Sequence, residues 1–204
     1  MFKDCDALTT IDLPDNCENI QYGAFSNCSK LKTISLSNEL ISLGPKAFEA
    51  CTSLRSITIP SKITNINKDT FSSCSSLINI NLPDALTTIR YGAFAGCTSL
   101  VKITLPDNLT VIENKAFSGC TSLRIIKRAT MERIYILLLC DNRVDVQTKL
   151  FQMILNQQQL RERIISFCKK RSPIKLGHNT FEGCTQLDDN TIQKLLYPNN
   201  SHLI

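Results

Sequence analysis

The chain has 204 residues, of which 43% are hydrophobic, ten are cysteine and none is tryptophan. This is long enough to bury a sizeable core, and no stretch approaches the roughly 18 uninterrupted apolar residues of a membrane-spanning helix, so we expect a soluble protein. The formal net charge is +5, and the whole positive excess lies in residues 124–175.

A repeat of 23 residues begins with the first residues and runs to about residue 127. Each unit has a Phe, a Cys three residues later and a Leu after three more. The columns are Phe2, Phe25, Phe48, Phe71, Phe94 and Phe117; Cys5, Cys28, Cys51, Cys74, Cys97 and Cys120; and Leu8, Leu31, Leu54, Leu77, Leu100 and Leu123. A fixed period in the low twenties marks stacked units that bury their apolar side chains only against their neighbours. The pattern predicts a solenoid.

Each unit continues with a segment that has the pattern of a strand with one buried face. The motif L-x-x-I-x-L, as in Leu100 to Leu105, has the period-two alternation of such a strand. Proline follows in four of the five copies, where a residue without an amide hydrogen suits a strand end. A second aliphatic pair comes after the turn, for example Leu109 and Ile112. Stacking of the units should make the strands a parallel sheet.

The outward positions of these strands form the first candidate binding face. They are Thr10, Asp12, Thr33, Ser35, Ser56, Thr58, Asn79, Asn81, Lys102 and Thr104. Short polar side chains make a flat, hydrogen-bonding surface, without the aromatic or Arg anchors that dominate many interfaces. The alternative interpretation is a solvated sheet whose Thr and Ser simply suit β structure.

The repeat resembles a known family. The unit A-F-x-x-C-x-x-L-x-x-I-x-L-P-x-x-L-x-x-I, seen in Ala93 to Ile112 as AFAGCTSLVKITLPDNLTVI, is similar to the BspA-type leucine-rich repeat, and a last copy returns at Leu176 to Leu187. The resemblance implies a right-handed solenoid with one strand on its concave side and a shorter strand or turn opposite. It also implies binding of other macromolecules, often at cell surfaces, and no catalytic residues.

The cysteine pattern favours buried free thiols over metal ligands or disulfides. No C-x-x-C pair exists, and His178 and His202 cannot complete a zinc finger with these cysteines. With no apolar segment at the amino terminus, we expect no cleaved signal and favour an intracellular location. N-glycosylation sequons at Asn27, Asn108 and Asn199 point the other way, and a cell-surface location stays open through the family resemblance.

The repeat is interrupted after Ile126 by a basic segment. From Arg124 to Lys175 there are twelve Lys or Arg and four Asp or Glu, a net charge of +8, whereas the remainder carries −3. Apolar residues from Leu150 to Phe167 follow helical spacing, which predicts an amphipathic helix of about 25 residues ending before Pro173. The apolar run Ile134–Cys140 is predicted to be a second helix rather than a strand, so we expect a helical hairpin inserted into the repeat array.

The predicted fold class is therefore an α/β repeat, a leucine-rich-repeat solenoid with a concave parallel sheet and a basic helical insertion. The predicted parts are the repeat array at 1–127, the insertion at 128–172, and a final repeat with a helical cap at 173–204. Because the chain begins inside a repeat without a cap, we expect either a longer chain or a partner that covers the first coil.

Two interpretations of the insertion remain open. Its apolar face could cap the last coils while the charges are merely solvated. Alternatively, it could dock on an acidic protein, with an anionic membrane or nucleic acid as less favoured partners. The candidate basic docking face consists of Arg161, Arg163, Lys169, Lys170 and Arg171. The last three also resemble a nuclear-localisation fragment.

No enzyme motif is present in the sequence. G-x-S-x-G, a Walker loop and H-E-x-x-H are all absent, so we predict no catalysis, no cofactor and no metal. The function predicted from the sequence is a non-catalytic protein–protein interaction module. The alternative is a structural subunit of a larger assembly, whose basic hairpin docks on a polyanion or a partner protein. The oligomeric state stays open.

Overall fold

The computed structural model describes residues 2–129, 175–176 and 180–185. Every element within these residues is a β-strand. The longer strands, one in each coil, are β1 (Thr10–Asp12), β3 (Thr33–Ser35), β5 (Ser56–Thr58), β7 (Asn79–Asn81), β9 (Lys102–Leu105) and β11 (Ile125–Arg128). The shorter strands are β2 (Asn19–Ile20), β4 (Ser42–Leu43), β6 (Asn65–Ile66), β8 (Thr88–Ile89), β10 (Val111–Ile112) and β12 (Lys175–Leu176).

All strand pairs are parallel, and each strand lies beside the strand of the same length class in the next coil. The longer strands pair as β1–β3, β5–β7 and β9–β11, while the shorter ones form β2–β4 and β6–β8–β10–β12. In the inner coils the partners lie one period apart, as for Ile57 and Ile80. The predicted parallel-strand solenoid, with a shorter strand opposite the longer one, is confirmed.

The Phe column forms a continuous stack through the core. Phe25, Phe48, Phe71, Phe94 and Phe117 are each at most 2% exposed. Neighbouring rings from Phe2 to Phe181 lie 5.2–5.6 Å apart between centroids, with planes within 10° of parallel. Offset stacking adds to the free energy gained by burying each ring. Coil-to-coil packing of identical residues therefore supplies the core, as the period predicts.

Apart from the half-buried Cys5, the Cys column is buried beside the Phe stack, and its thiols have a structural role. From Cys28 onward each described column thiol donates a hydrogen bond to the carbonyl oxygen of the Phe one coil earlier, at Sγ–O distances of 2.9–3.2 Å. For example, the Cys51 thiol binds the Phe25 carbonyl at 3.1 Å. The eight cysteines in the described residues are all free. The prediction of free core thiols is confirmed for this column.

In each coil from Phe25 to Phe117, two positions have left-handed backbone geometry. The residue before the column Cys has φ between 57° and 73°, and it is Asp4, Asn27, Ala50, Ser73, Gly96, Gly119 or Gly183. The residue two positions before Phe has φ between 53° and 61°, and it is Gly23, Lys46, Asp69, Gly92 or Lys115. Because side chains at Ala50 and Lys46 adopt this geometry against their intrinsic preference, coil stacking must impose it.

The last repeat stacks directly on the sixth coil. β12 pairs with β10 of the fifth coil and so completes the sixth coil, and the Phe181 ring of the last repeat stacks on Phe117. The bond from the Cys184 thiol to the Phe117 carbonyl spans 67 residues, whereas its equivalents in earlier coils span 26. The array therefore accommodates 41 extra residues between β11 and β12 without losing its register.

The extra residues take the place of a short turn. In the preceding coil, residues 106–110 connect the longer strand β9 to the shorter strand β10. The equivalent connection from β11 to β12 is residues 129–174. Arg128, the first residue of the predicted insertion, still belongs to β11.

The predicted helical hairpin lies outside the described residues, as does the predicted C-terminal cap, so the α component of the predicted class has no support in the structure. Residues 2–129, 175–176 and 180–185 contain no helix with the length and hydropathy needed to cross a membrane.

Candidate interaction face

The longer strands present one regular surface, which we call the strand face. In β1, β3, β5 and β7 the central residue is buried or half-buried and both its neighbours are exposed. Eight of the ten predicted face residues are therefore exposed, whereas Lys102 and Thr104 on β9 are half-buried. The alternation that the sequence predicted places all ten on the same side of the strands.

The strand face extends one coil further than we predicted. Ile125 and Lys127 on β11 lie beside Lys102 and Thr104 in the ladder, and both are exposed. Their positions follow from the 23-residue period, so the signal was present in the sequence. The prediction stopped at β9 because the aliphatic residue and the proline that end the strand motif are missing after Ile126.

The register aligns short polar side chains in rows across the strand face. Thr10 lies beside Thr33, and Ser56 lies beside Asn79. The Asn81 side-chain amide donates a hydrogen bond to the Thr58 hydroxyl oxygen at 3.1 Å. Such rows offer hydroxyl and amide groups at the strand spacing of about 4.8 Å.

A shallow depression of about 420 Å³ lies over the middle of the strand face. It sits where β3 and β5 lie side by side without forming one ladder. Its polar lining is neutral and comprises Thr33, Ser35, Asn38, Ser56, Thr58, Asn79 and Asn81. The depression can exchange hydrogen bonds with a ligand, but it provides no charge and no aromatic platform.

Charge on the strand face is confined to its two ends. Asp12 on β1 is the single acidic residue among the outward positions, and Lys102 and Lys127 are the basic ones. Six outward residues of β3, β5 and β7 separate them, and all six are neutral. The face therefore has a negative end in the first coil and a positive end in the fifth and sixth coils.

The described residues offer little reactive chemistry. They include no group of three or more His, Cys, Asp or Glu side chains placed to hold a metal ion. Burial raises the pKa of the Cys51 thiol to about 12, and burial also raises the pKa of Cys74 and Cys97. Because the thiolate is the nucleophilic form, these thiols are unreactive near neutral pH.

The candidate basic docking face, Arg161, Arg163, Lys169, Lys170 and Arg171, lies outside the described residues. Its role as a docking face therefore stays a prediction.

Solved structures with similar folds are leucine-rich repeat proteins of bacteria. The Treponema pallidum leucine-rich repeat protein matches with a TM-score of 0.71 and 24% identity, covering 98% of this chain and 74% of that one. A Bacteroides ovatus protein matches with a TM-score of 0.50 and 31% identity, covering 61% of this chain and 38% of that one. A Eubacterium ventriosum protein has a TM-score of 0.54 and 24% identity, with 58% and 32% coverage. The chain thus spans less than two fifths of the second and third proteins.

The sequence family is established by a separate match. No curated protein sequence matches the chain. The family model of the BspA type leucine rich repeat region matches residues 1–124 in six copies. These copies coincide with the coils that carry the Phe stack and the thiol hydrogen bonds. The chain therefore belongs to the BspA-type leucine-rich repeat family.

Proposed function

We propose that this chain is a non-catalytic protein-interaction module that binds a protein partner on the strand face. The observation that carries the proposal is the regular exposure of short polar side chains on the longer strands β1, β3, β5 and β7, which lie over a closely packed core. Preorganised groups bind without the entropy cost of ordering mobile side chains. The neutral depression in the middle of the face suits a partner that supplies hydrogen-bonding groups.

A matched pair of variants tests this proposal. Ser56→Arg places a long charged side chain in the depression, whereas Ser61→Arg makes the same change at an exposed turn residue of the same coil. Partners from the native source are captured by crosslinking, with the bait residues identified by mass spectrometry. We expect crosslinks on the strand face for the unmodified chain and Ser61→Arg, and their loss for Ser56→Arg. Equal capture by both variants contradicts the proposal.

The charge of residues 124–175 supports a second candidate function, a structural subunit that docks on a polyanionic surface. Reversal of Lys169, Lys170 and Arg171 to Glu should then weaken binding of the chain to the polyanionic surface strongly at low salt and far less at high salt. The reason is that interactions between exposed charges are screened over about 10 Å at 0.1 M salt. Stability to urea should hardly change. If the triple variant is less stable to urea but binds the polyanionic surface as well as the unmodified chain does, these residues belong to a structural cap instead.

A further inference from the structure

The distribution of charge on the strand face constrains the chemistry of its partner. The negative end, Asp12, and the positive end, Lys127, are both exposed. They occupy the same column of the repeat, in the first and the sixth longer strand. Five strand intervals of about 4.8 Å separate them, which gives a distance of about 24 Å along the solenoid axis.

The surface between the two ends differs from both. Ser35, Thr58 and Asn81 fill the same column on β3, β5 and β7 and carry hydroxyl or amide groups. The depression opens beside these residues. A partner that lies along this column meets neutral hydrogen-bonding groups in the middle and one charge of each sign at its ends.

We infer that the partner presents an extended protein segment with a cation and a carboxylate about 24 Å apart, which lies along the solenoid axis with the cation over Asp12 and the carboxylate over Lys127. This inference rests on the proposed function, since it takes the strand face as the binding surface. An extended chain advances about 3.4 Å per residue, so the two charges lie about seven residues apart in the segment. The peptide groups between them can exchange hydrogen bonds with the hydroxyl and amide rows.

Synthetic peptides with fixed charge spacing provide the probe. The test peptide has Lys at its first position and Glu at its eighth, separated by six Ser, Thr or Asn residues. Two control peptides have Lys at both positions or Glu at both, and a third has Lys and Glu only three residues apart. Binding to the full chain is measured by fluorescence anisotropy at low salt. We expect the test peptide to bind about two- to fivefold more tightly than each control, as for one extra exposed ion pair.

Charge reversal on the protein supplies the more specific result. Asp12→Lys and Lys127→Glu should each weaken the test peptide about three- to tenfold, whereas the double variant should restore binding because the peptide can lie in the opposite direction. Glu18→Lys in the first coil and Lys115→Glu in the fifth make similar charge changes at exposed residues outside the strand face and should leave binding unchanged.

Lys32 and Arg55 are exposed one position before β3 and β5, so they flank the neutral stretch. If Lys32→Glu and Arg55→Glu weaken the test peptide more than Lys127→Glu does, the carboxylate binds beside the face and the inference is wrong.

Several further outcomes overturn the inference. These are equal binding of all peptides, absence of binding by any of them, and failure of the double variant to restore binding. The proposed function fails separately, through equal partner capture by Ser56→Arg and Ser61→Arg. If Ser56→Arg abolishes capture while the charge reversals have no effect, the strand face binds a partner of different chemistry.

Discussion

The Phe stack predicts that the same substitution has very different costs in the middle and at the start of the array. Phe71 has no exposed surface, and the rings of Phe48 and Phe94 lie 5.4 and 5.5 Å from it on either side. Phe71→Ala therefore removes a fully buried ring from two coil interfaces. Truncation of a buried aromatic to Ala costs about 3–5 kcal/mol, and the stacking lost on both sides places this site toward the upper part of that range.

Phe2 is the matched comparison. It is 41% exposed and, among the described residues, its ring stacks on Phe25 alone, with 5.4 Å between the centroids. Phe2→Ala removes packing contacts from a single coil interface, and the ring that is lost is already partly hydrated. In repeat proteins stability is approximately a sum of units and nearest-neighbour interfaces. We expect a cost of about 1–2 kcal/mol, less than half that of the central site.

Urea unfolding followed by circular dichroism measures both values, since the chain has no Trp to report by fluorescence. The slope of the transition should stay the same in both variants, so that the midpoint shift converts to free energy. A changed slope in Phe71→Ala would show that the two halves of the array unfold separately. Equal midpoint shifts for Phe2→Ala and Phe71→Ala would refute the argument, because the first coil would then be covered as well as the centre.

Other predictions concern the thiols and one glycine. Maleimide should label Cys51 slowly in the native protein at neutral pH and rapidly after denaturation, whereas the half-buried Cys17 should react faster than Cys51; fast native labelling of Cys51 would show that the column is not core. Burial raises the pKa of Cys51 from 9.0 to about 12. The contribution of the buried thiol to stability should therefore be fully present below pH 9 and be lost as the pH rises toward 12. In urea titrations, the Cys51→Ala variant should lose less stability over this pH range than the unmodified chain does. Gly44→Ala should destabilise by about 1–3 kcal/mol, since an added Cβ would lie 2.6 Å from the backbone carbonyl carbon of Gln21. The comparison is Gly23→Ala, where the added Cβ meets only Ser26 at 3.7 Å and the backbone cost of φ +58° is about 1 kcal/mol. Equal unfolding midpoints for Gly44→Ala and Gly23→Ala would contradict the steric explanation.

The sequence predicted the features that follow from side-chain periodicity. The core columns, the alternation of the longer strands and the outward position of residues such as Thr33 and Asn79 all required only the 23-residue period and the preference of apolar groups for the interior. A single strand motif would not have been enough, because its inward face is stabilised only by stacking. Six copies in phase made the parallel arrangement predictable.

The features that the sequence did not predict depend on backbone geometry. Left-handed residues are usually recognised by Gly, Asn or Asp, but one of these columns also contains Ala50 and Ser73, which do not indicate positive φ. The thiol bond to the carbonyl one coil away was also missed, because the column suggested only a small apolar residue. The Phe carbonyl oxygen also accepts a hydrogen bond from the backbone amide of the Cys in its own coil, as Phe25 does from Cys28 at 3.1 Å. The thiol of the next coil is its second donor, and Ala in the column would remove that donor, which explains why Cys suits the position.

The junction between β11 and β12 makes the array modular in a practical sense. Arg128 pairs with Leu105 and Lys175 pairs with Val111, so the two ends of the long connection occupy the same positions as the ends of an ordinary turn. A five-residue segment copied from 106–110 should therefore join them and give an uninterrupted solenoid. Natural chains can gain or lose sequence at such a junction without changing the coils on either side, because the entropy of closing a loop grows only slowly with its length. The same junction offers protein engineers an internal attachment site for a guest domain, positioned next to the strand face.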